Sequence, residues 1–408
     1  MKRVIGILLV LSFLFVAVCG CENKEDNTKK ESKPTSSTES VVDTSSEELV
    51  SSEEETSSEE LTSNGETSSD DEKTPTQTPD TTPETTPVDD SEDPDKAVRE
   101  RMQGGVNMQG CEGGLSDNLD TYYYKREYYD LIAKAGFNNV RFPIGLRTMI
   151  VSEAPEYLLD TEQLRRLDIA INSAIDAGLI IAIDNHGSSA KYYEKEEFCA
   201  VWRQLAERYR YYPSELIFEL INEPNGRPDE ELNENQLAAI EEIRKTNPTR
   251  NICIAPNQWN GSWKIWDAAC PSYLNERGQL EFDPNVIFAV HMYNPMNFTH
   301  QGGMADDKHE AHIDAPIEEY CASVTSALEV CADYEERTGR TVWINEWGAY
   351  LGHKQDNCMQ QYYKFTTSEL ARLDLAYAVW EFNAGFGIFD MNAGAFKDYI
   401  IDNMIITW

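Results

Sequence analysis

An α/β fold arranged as a (β/α)8 TIM barrel is predicted by three observations. Eight short apolar segments, near residues 105, 138, 179, 216, 251, 286, 342 and 376, recur mostly 33–41 residues apart, with one step of 56. Between several of them, apolar residues fall at helical spacing. Six of the eight segments also end in polar or aromatic residues, and the strand ends are where such a barrel presents its functional side chains. These features lie in residues 96–408, and the composition changes sharply before them.

Met1 to Gly20 opens with Lys2 and Arg3, continues as an apolar run from Val4 to Val18, and ends in Cys19-Gly20-Cys21. A basic start with so short an apolar run is a signal peptide rather than a membrane span of about 20 residues. Val18-Cys19-Gly20-Cys21 is similar to a bacterial lipobox, which implies lipidation of Cys21 and an anchor at the outer face of the cell membrane; simple secretion is the alternative. Residues 22 to 95 carry 24 Asp plus Glu against 5 Lys, a net −19. Such a segment has too little apolar surface to offset its ordering entropy, so residues 21–95 are expected to be a disordered linker. As a random coil they span roughly 45–50 Å, and more through self-repulsion. The whole chain carries −37, which argues against nucleic acid as a partner.

Within the barrel region, Tyr128, Leu131, Ile132 and Ala135 precede Gly136 at i, i+3, i+4 and i+7, and Trp202, Leu205, Ala206 and Tyr209 repeat the pattern before Pro213. Asp160 followed by Gln163 marks a helix start and Gly178 its stop. A doubly wound open sheet is the rival architecture, but residues 104–114 lack the glycine spacing of its phosphate loop. Seven cysteines remain (Cys111, Cys199, Cys253, Cys270, Cys321, Cys331, Cys358), with no C-x-x-C pair. Cys321 and Cys331 share one predicted helix, about 15 Å apart along its axis and too far to bridge. Most are expected to be buried small hydrophobes, not a disulfide framework. His300, His309 and His312 fall in the loop between the sixth and seventh strands, where a solvated loop explains them as well as a metal site.

The strand ends concentrate the chemistry. Leu216 to Ile221 reads as a strand covered on both faces that runs into Asn222, Glu223 and Pro224. A carboxylate where a buried strand meets a loop is partly desolvated and can hold a proton near neutrality, which makes Glu223 a candidate general acid. A second apolar strand, 123 residues on, ends in Glu346. Two such glutamates are what retaining glycoside hydrolysis needs, one as acid and base and one as nucleophile. The second strand ends near Arg141, the third in His186, the sixth in His291 and Tyr293, and the eighth in Trp380. Trp259 and Trp263, after the fifth, offer further flat apolar faces to a sugar ring. That chemistry requires no metal or organic cofactor.

The motifs GFNNVRFPI, DNHG, FELINEP, VHMYNPMNFTHQG, INEWGAY and WEFNAGFGIFD, spanning about Gly104 to Phe389, resemble glycoside hydrolase family 5, and within it the bacterial endo-β-1,4-glucanases (cellulases). The resemblance implies a retaining mechanism with Glu223 as acid/base and Glu346 as nucleophile. It also implies that Arg141 and Tyr293 hold Glu346, Asn222 binds the sugar 2-hydroxyl, His186 and His291 line the −1 subsite, and Trp380 forms the floor beneath that sugar. Two departures stand out: the first strand carries no Trp, and Asn185 occupies a position that is often apolar or His. The expected partner is a β-1,4-glucan, cellulose or mixed-linkage β-glucan, cut by a monomer. Mannan or xyloglucan hydrolysis on the same fold is an open alternative, as is a catalytically silent carbohydrate-binding lipoprotein.

Overall fold

The computed structural model describes residues 93–186, 193–300, 317–352 and 356–404. The chain divides into two units, Met1–Thr81 and Thr82–Trp408, and every described residue belongs to the second. The signal peptide, Cys21, nearly all of the linker, His309 and His312 lie outside the described residues.

The strands are β1 (Gly104–Asn107), β2 (Asn139–Ile144), β3 (Ile180–Asn185), β4 (Leu216–Glu219), β5 (Ile252–Ile254), a hairpin of β6 (Ser272–Leu274) and β7 (Leu280–Phe282), β8 (Val286–Met292), β9 (Val342–Trp347) and β10 (Ala376–Val379). All but the hairpin pair in parallel and close into a barrel in the order β1-β10-β9-β8-β5-β4-β3-β2. The helices are α1 (Pro94–Arg101), α2 (Arg126–Lys134), α3 (Thr161–Asp176), α4 (Lys195–Arg208), α5 (Asp229–Arg244), the short α6 (Asn257–Asn260) and α7 (Met296–Thr299), then α8 (Ile317–Thr338) and α9 (Asp356–Arg372). The predicted (β/α)8 barrel is therefore the fold. Local signals behave as their chemistry requires. The Asp160 side chain accepts from the backbone N–H groups of Glu162 and Gln163 to cap α3, and Gly178 turns the chain out of it at φ +80°.

Three details differ from the sequence reading. Arg141 is not at the end of β2 but is its third residue of six, inside the barrel. The fourth strand stops at Glu219 rather than Ile221, where its registered pairing with both β3 and β5 ends. The fifth crossover has no long helix; α6, a 3-10 turn over Ser262–Asp267 and the β6–β7 hairpin fill it. Of the seven described cysteines, Cys111, Cys253 and Cys331 are buried and the other four half-buried. Fewer are buried than expected.

Side-chain alternation divides the barrel interior into two layers. Ile180, Ala182, Ile217, Cys253, Ile287, Ala289, Trp343 and Ala378 form an apolar lower layer, which Val98 of α1 and Met102, the residue that caps its C-terminus, close. Arg99 of that helix donates to the Asn251 side chain at 2.8 Å and also bonds Asn285. Two residues further along the same strands the pointing direction repeats, and the residues become Asp184 and Glu219. The upper layer is thus polar, and it is the base on which the site is built.

Candidate active site

At the centre of the upper layer lies Arg141, fully buried. Its Nε and Nη2 donate to the two Glu219 oxygens at 2.8 and 2.9 Å, and Nη2 also reaches Asp184 at 2.9 Å. Nη1 donates to Glu346 at 2.5 Å and to the Asn107 side chain at 3.0 Å, while Nη2 donates to Asn222 Oδ1 at 2.7 Å. Burial alone would lower its pKa, but Asp184, Glu219 and Glu346 together hold it well above the ordinary value. The same burial pushes the Asp184 and Glu219 carboxyls up to about 7 each, against the opposing pull of Arg141. With the Asp184 and Glu219 carboxyls both pushed up to about 7 beside one guanidinium, the pair can retain a proton near neutrality.

The cluster sets the orientation of its neighbours. Asp184 Oδ2 lies 2.6 Å from His186 Nδ1, which places the ring proton there, and Nε2 then accepts from Asn222 Nδ2 at 3.2 Å. Because Asn222 Oδ1 is taken by Arg141, its amide has one consistent orientation. Burial lowers the His186 pKa, as does the nearby Arg141, so the ring is neutral. The ring stacks on Trp380, with centroids 5.7 Å apart and an interplanar angle of 13°.

Glu346 reaches the site through an irregularity in β9. Val290 pairs with Ile344, but His291, the next residue of β8, pairs with Glu346. Asn345 is the extra residue of a bulge, and a bulge re-aims the side chains beyond it. Asn345 Nδ2 donates to Glu219 at 2.7 Å, whereas Glu346 takes Arg141 on Oε1 and the Tyr293 hydroxyl, at 2.9 Å, on Oε2. Glu223 follows β4 with φ +44°, a left-handed conformation that a non-glycine residue keeps only when its surroundings hold it. Its backbone N–H donates to Asn260 Oδ1 at 2.8 Å, and Asn260 in turn donates to Ala289 O of β8 at 3.1 Å. His291 lies between the glutamates, its Nδ1 3.1 Å from Glu223 and 3.3 Å from Glu346. Burial drives this imidazole down to about 3, so it is neutral.

Six of the residues singled out from sequence, His186, Asn222, Glu223, Tyr293, Glu346 and Trp380, line one cleft of about 360 Å³. Arg141 and His291 lie directly behind it, in contact with Glu346. Trp259 is not among the lining residues. It is half-exposed, on a turn where Gln258, Trp259 and Asn260 are all left-handed, with its N–H on Pro224 O; Trp263 is also exposed. Sequence reasoning missed Asp184, Glu219 and Asn345, which orient the others, and His300 of the cleft wall was read as a loop residue. An available signal was the charged residue inside each apolar run, Asp184 in IIAID and Glu219 in LIFEL, because a buried carboxylate needs a partner. Glu381 was also missed. This buried carboxyl borders the cleft, accepts from Phe386 N at 3.1 Å, and is pushed up to about 7 by burial, with its other oxygen unpartnered. A larger hollow of about 850 Å³ opens between α1 and the β6–β7 hairpin, at the opposite end of the barrel from Glu223 and Glu346.

The family profile described as cellulase (glycosyl hydrolase family 5) matches residues 100–385. The chain belongs to glycosyl hydrolase family 5. Endoglucanase A of Ruminococcus albus is 26% identical over 342 residues, covering 74% of this chain and 87% of that protein. Endoglucanase H of Acetivibrio thermocellus is 26% identical over 312 residues, 73% of this chain, but this family 5 chain spans only 31% of that larger relative. Among solved structures, Thermotoga maritima Cel5A in complex with mannotriose is similar with a TM-score of 0.68 at 26% identity, covering 77% of this chain and all of that one.

Proposed function

We propose that this family 5 chain is a retaining, endo-acting β-1,4-glucan hydrolase in which Glu346 is the nucleophile and Glu223 the acid and base. One observation carries the retaining mechanism. Carboxylate oxygens of Glu223 and Glu346 lie within 4.8 Å of each other, either side of His291 Nδ1. Retaining enzymes hold their carboxyl groups about 5–5.5 Å apart, whereas inverting ones leave about 6.5–9.5 Å for a water. Arg141 and the Tyr293 hydroxyl occupy Glu346 with two donors, which aim it at the anomeric carbon it attacks. Glu223, with its side chain 37% exposed, faces the cleft and protonates the departing glycosidic oxygen. It then takes a proton from the water that hydrolyses the glycosyl-enzyme. Asn222, fixed between Arg141 and His186, donates toward the sugar 2-hydroxyl, and Trp380 offers its face to the ring.

The named endoglucanases among its relatives favour glucan as the polymer. Mannan is the second reading, because the similar Thermotoga protein was solved with mannotriose as well as with cellobiose. Proton NMR of a fresh β-glucan hydrolysate tests the mechanism. The β-anomer is expected first, and an initial α-anomer sinks the roles of both glutamates. Glu346→Gln should abolish turnover on every substrate, whereas Glu223→Ala should be least damaging when the leaving group is a nitrophenol that needs no protonation. Activity on mannan with none on glucan moves the assignment to the second reading. The pattern Val18 to Cys21 supports a lipid anchor at the outer membrane face. Cys21→Ala should release the protein to the medium, and a wild-type mature mass without lipid rules the anchor out.

A further inference from the structure

We propose that Glu223, His291 and Glu346 form a three-ligand site for one Zn²⁺ ion, whose occupation shuts the hydrolytic centre. The argument begins with spacing. His291 Nδ1 lies 3.1 Å from Glu223 Oε1 and 3.3 Å from Glu346 Oε2, and the three atoms all fall within 4.8 Å of one another. A tetrahedral Zn²⁺ with bonds of about 2.0–2.2 Å holds its ligand atoms about 3.3–3.5 Å apart. Two of the three separations are therefore nearly those of a coordinated ion before any side chain moves. Only the approach of the two carboxylates has to tighten, and Glu223 is the most exposed of the three side chains.

The ligand set selects the ion. One imidazole and two carboxylates suit Zn²⁺, while Ca²⁺ and Mg²⁺ favour shells made of oxygen alone. Charge favours a dication as well. Three carboxyl groups, Asp184, Glu219 and Glu346, share the single Arg141 with two Asn side chains, and Glu223 adds a fourth carboxyl beside His291. The Tyr293 hydroxyl already bonds Glu346 Oε2, as an outer partner orients a coordinating carboxylate. Coordination through Nδ1 places the imidazole proton on Nε2, which is buried without a partner among the described residues, a cost that the bonds to the ion must offset. Glu223 and Glu346 both line the cleft, so an ion held between them would compete with substrate for that space. Binding of the ion stands apart from the catalytic roles proposed above; only the loss of turnover rests on them.

The test is calorimetric titration of the full chain with ZnCl₂, alongside Zn-edge X-ray absorption of the loaded protein. The expected result is one ion per chain, with one imidazole nitrogen and oxygen ligands near 2.0 Å and little response to CaCl₂. Hydrolysis should fall in step with occupancy and return on adding EDTA. His291→Gln should weaken the site at least as much as loss of an outer-shell partner does, by roughly 10–100-fold, while His300→Gln, a histidine of the same cleft, should leave it unchanged. Absence of binding in the wild type, a spectrum without imidazole, or equal affinity in His291→Gln overturns the proposal. Should His291→Gln fail to fold, the wild-type spectrum still decides. Zn²⁺ bound through His291 in a chain that cuts no glucan would refute the proposed function and leave this site standing.

Discussion

Glu381 shows how burial can set a residue's protonation. Only 1% of its surface is exposed, one oxygen accepts from Phe386 N–H, and the other has no partner. Burial pushes its carboxyl up to about 7 from the ordinary 4.5, and the nearby Glu112 and Glu346 push in the same direction, against the Phe386 N–H. Below pH 4.5 the folded and unfolded chains both hold this proton. Between 4.5 and 7 only the folded chain does, so stability falls as pH rises through that window. Glu381→Gln keeps an acceptor for Phe386 and removes the titration. Denaturant unfolding should show the variant gaining on wild type by up to roughly 3 kcal/mol between pH 4 and pH 8. A difference that stays flat with pH would mean that Glu381 ionises normally. His291 has the opposite sign, because its folded value of about 3 removes stability as pH drops below 6.5, so the comparison must be made between variants and not on the wild type alone.

Among the elements, α1 and β9 contribute in different ways. The helix is a plug: Val98 and Met102 fill the lower end of the barrel, against Ile180, Ile217 and Trp343. Met102 is 1% exposed, and truncating a methionine so buried leaves a cavity that costs about 2–4 kcal/mol. Met102→Ala should lower the unfolding free energy by that amount with kcat unchanged, since the polar layer separates it from the glutamates. A large fall in kcat at temperatures where the variant is fully folded would show that the plug is coupled to the site. The bulge at Asn345 of β9 has a different function. It lets Asn345 and Glu346, adjacent in sequence, both enter the barrel, the first to Glu219 and the second to Arg141. A regular strand would have turned one of them outward.

For the molecule as a whole, packing rather than cross-linking supplies the stability. The buried core draws on residues from Val106 to Met404, and Cys111 and Cys331 pack within it as small apolar groups. Thermal unfolding should therefore give the same Tm with and without a reducing agent; a drop of several degrees on reduction would show that a cross-link shares in the stability. Among the described residues no helix is long and apolar enough to cross a membrane.

Much of this was legible in the chain. Strand spacing and helix periodicity specify the eightfold alternation, because each apolar stripe must be buried against a neighbouring element. The motifs around Asn222, Glu223, Tyr293, Glu346 and Trp380 could be recognised from sequence, since each follows a strand whose end is marked by a change from apolar to polar residues. What the sequence by itself could not determine was which of them touch. Arg141 reads as a strand-end residue but lies at the centre of the barrel, bound to residues 78 and 205 positions away. Glu219 passes as one position in an apolar run, and its ionic role exists only because closure brings β2, β4 and β9 around the same axis. The bulge at Asn345 has no local signature, because it is defined by what the neighbouring strand pairs with. Trp259 has the composition of a sugar platform, yet a left-handed turn sets it outside the cleft lining. Period and polarity are properties of neighbours along the chain, so the sequence carries them. Charge pairing and register between strands are set by distances across the barrel, and only the closed tertiary structure defines those.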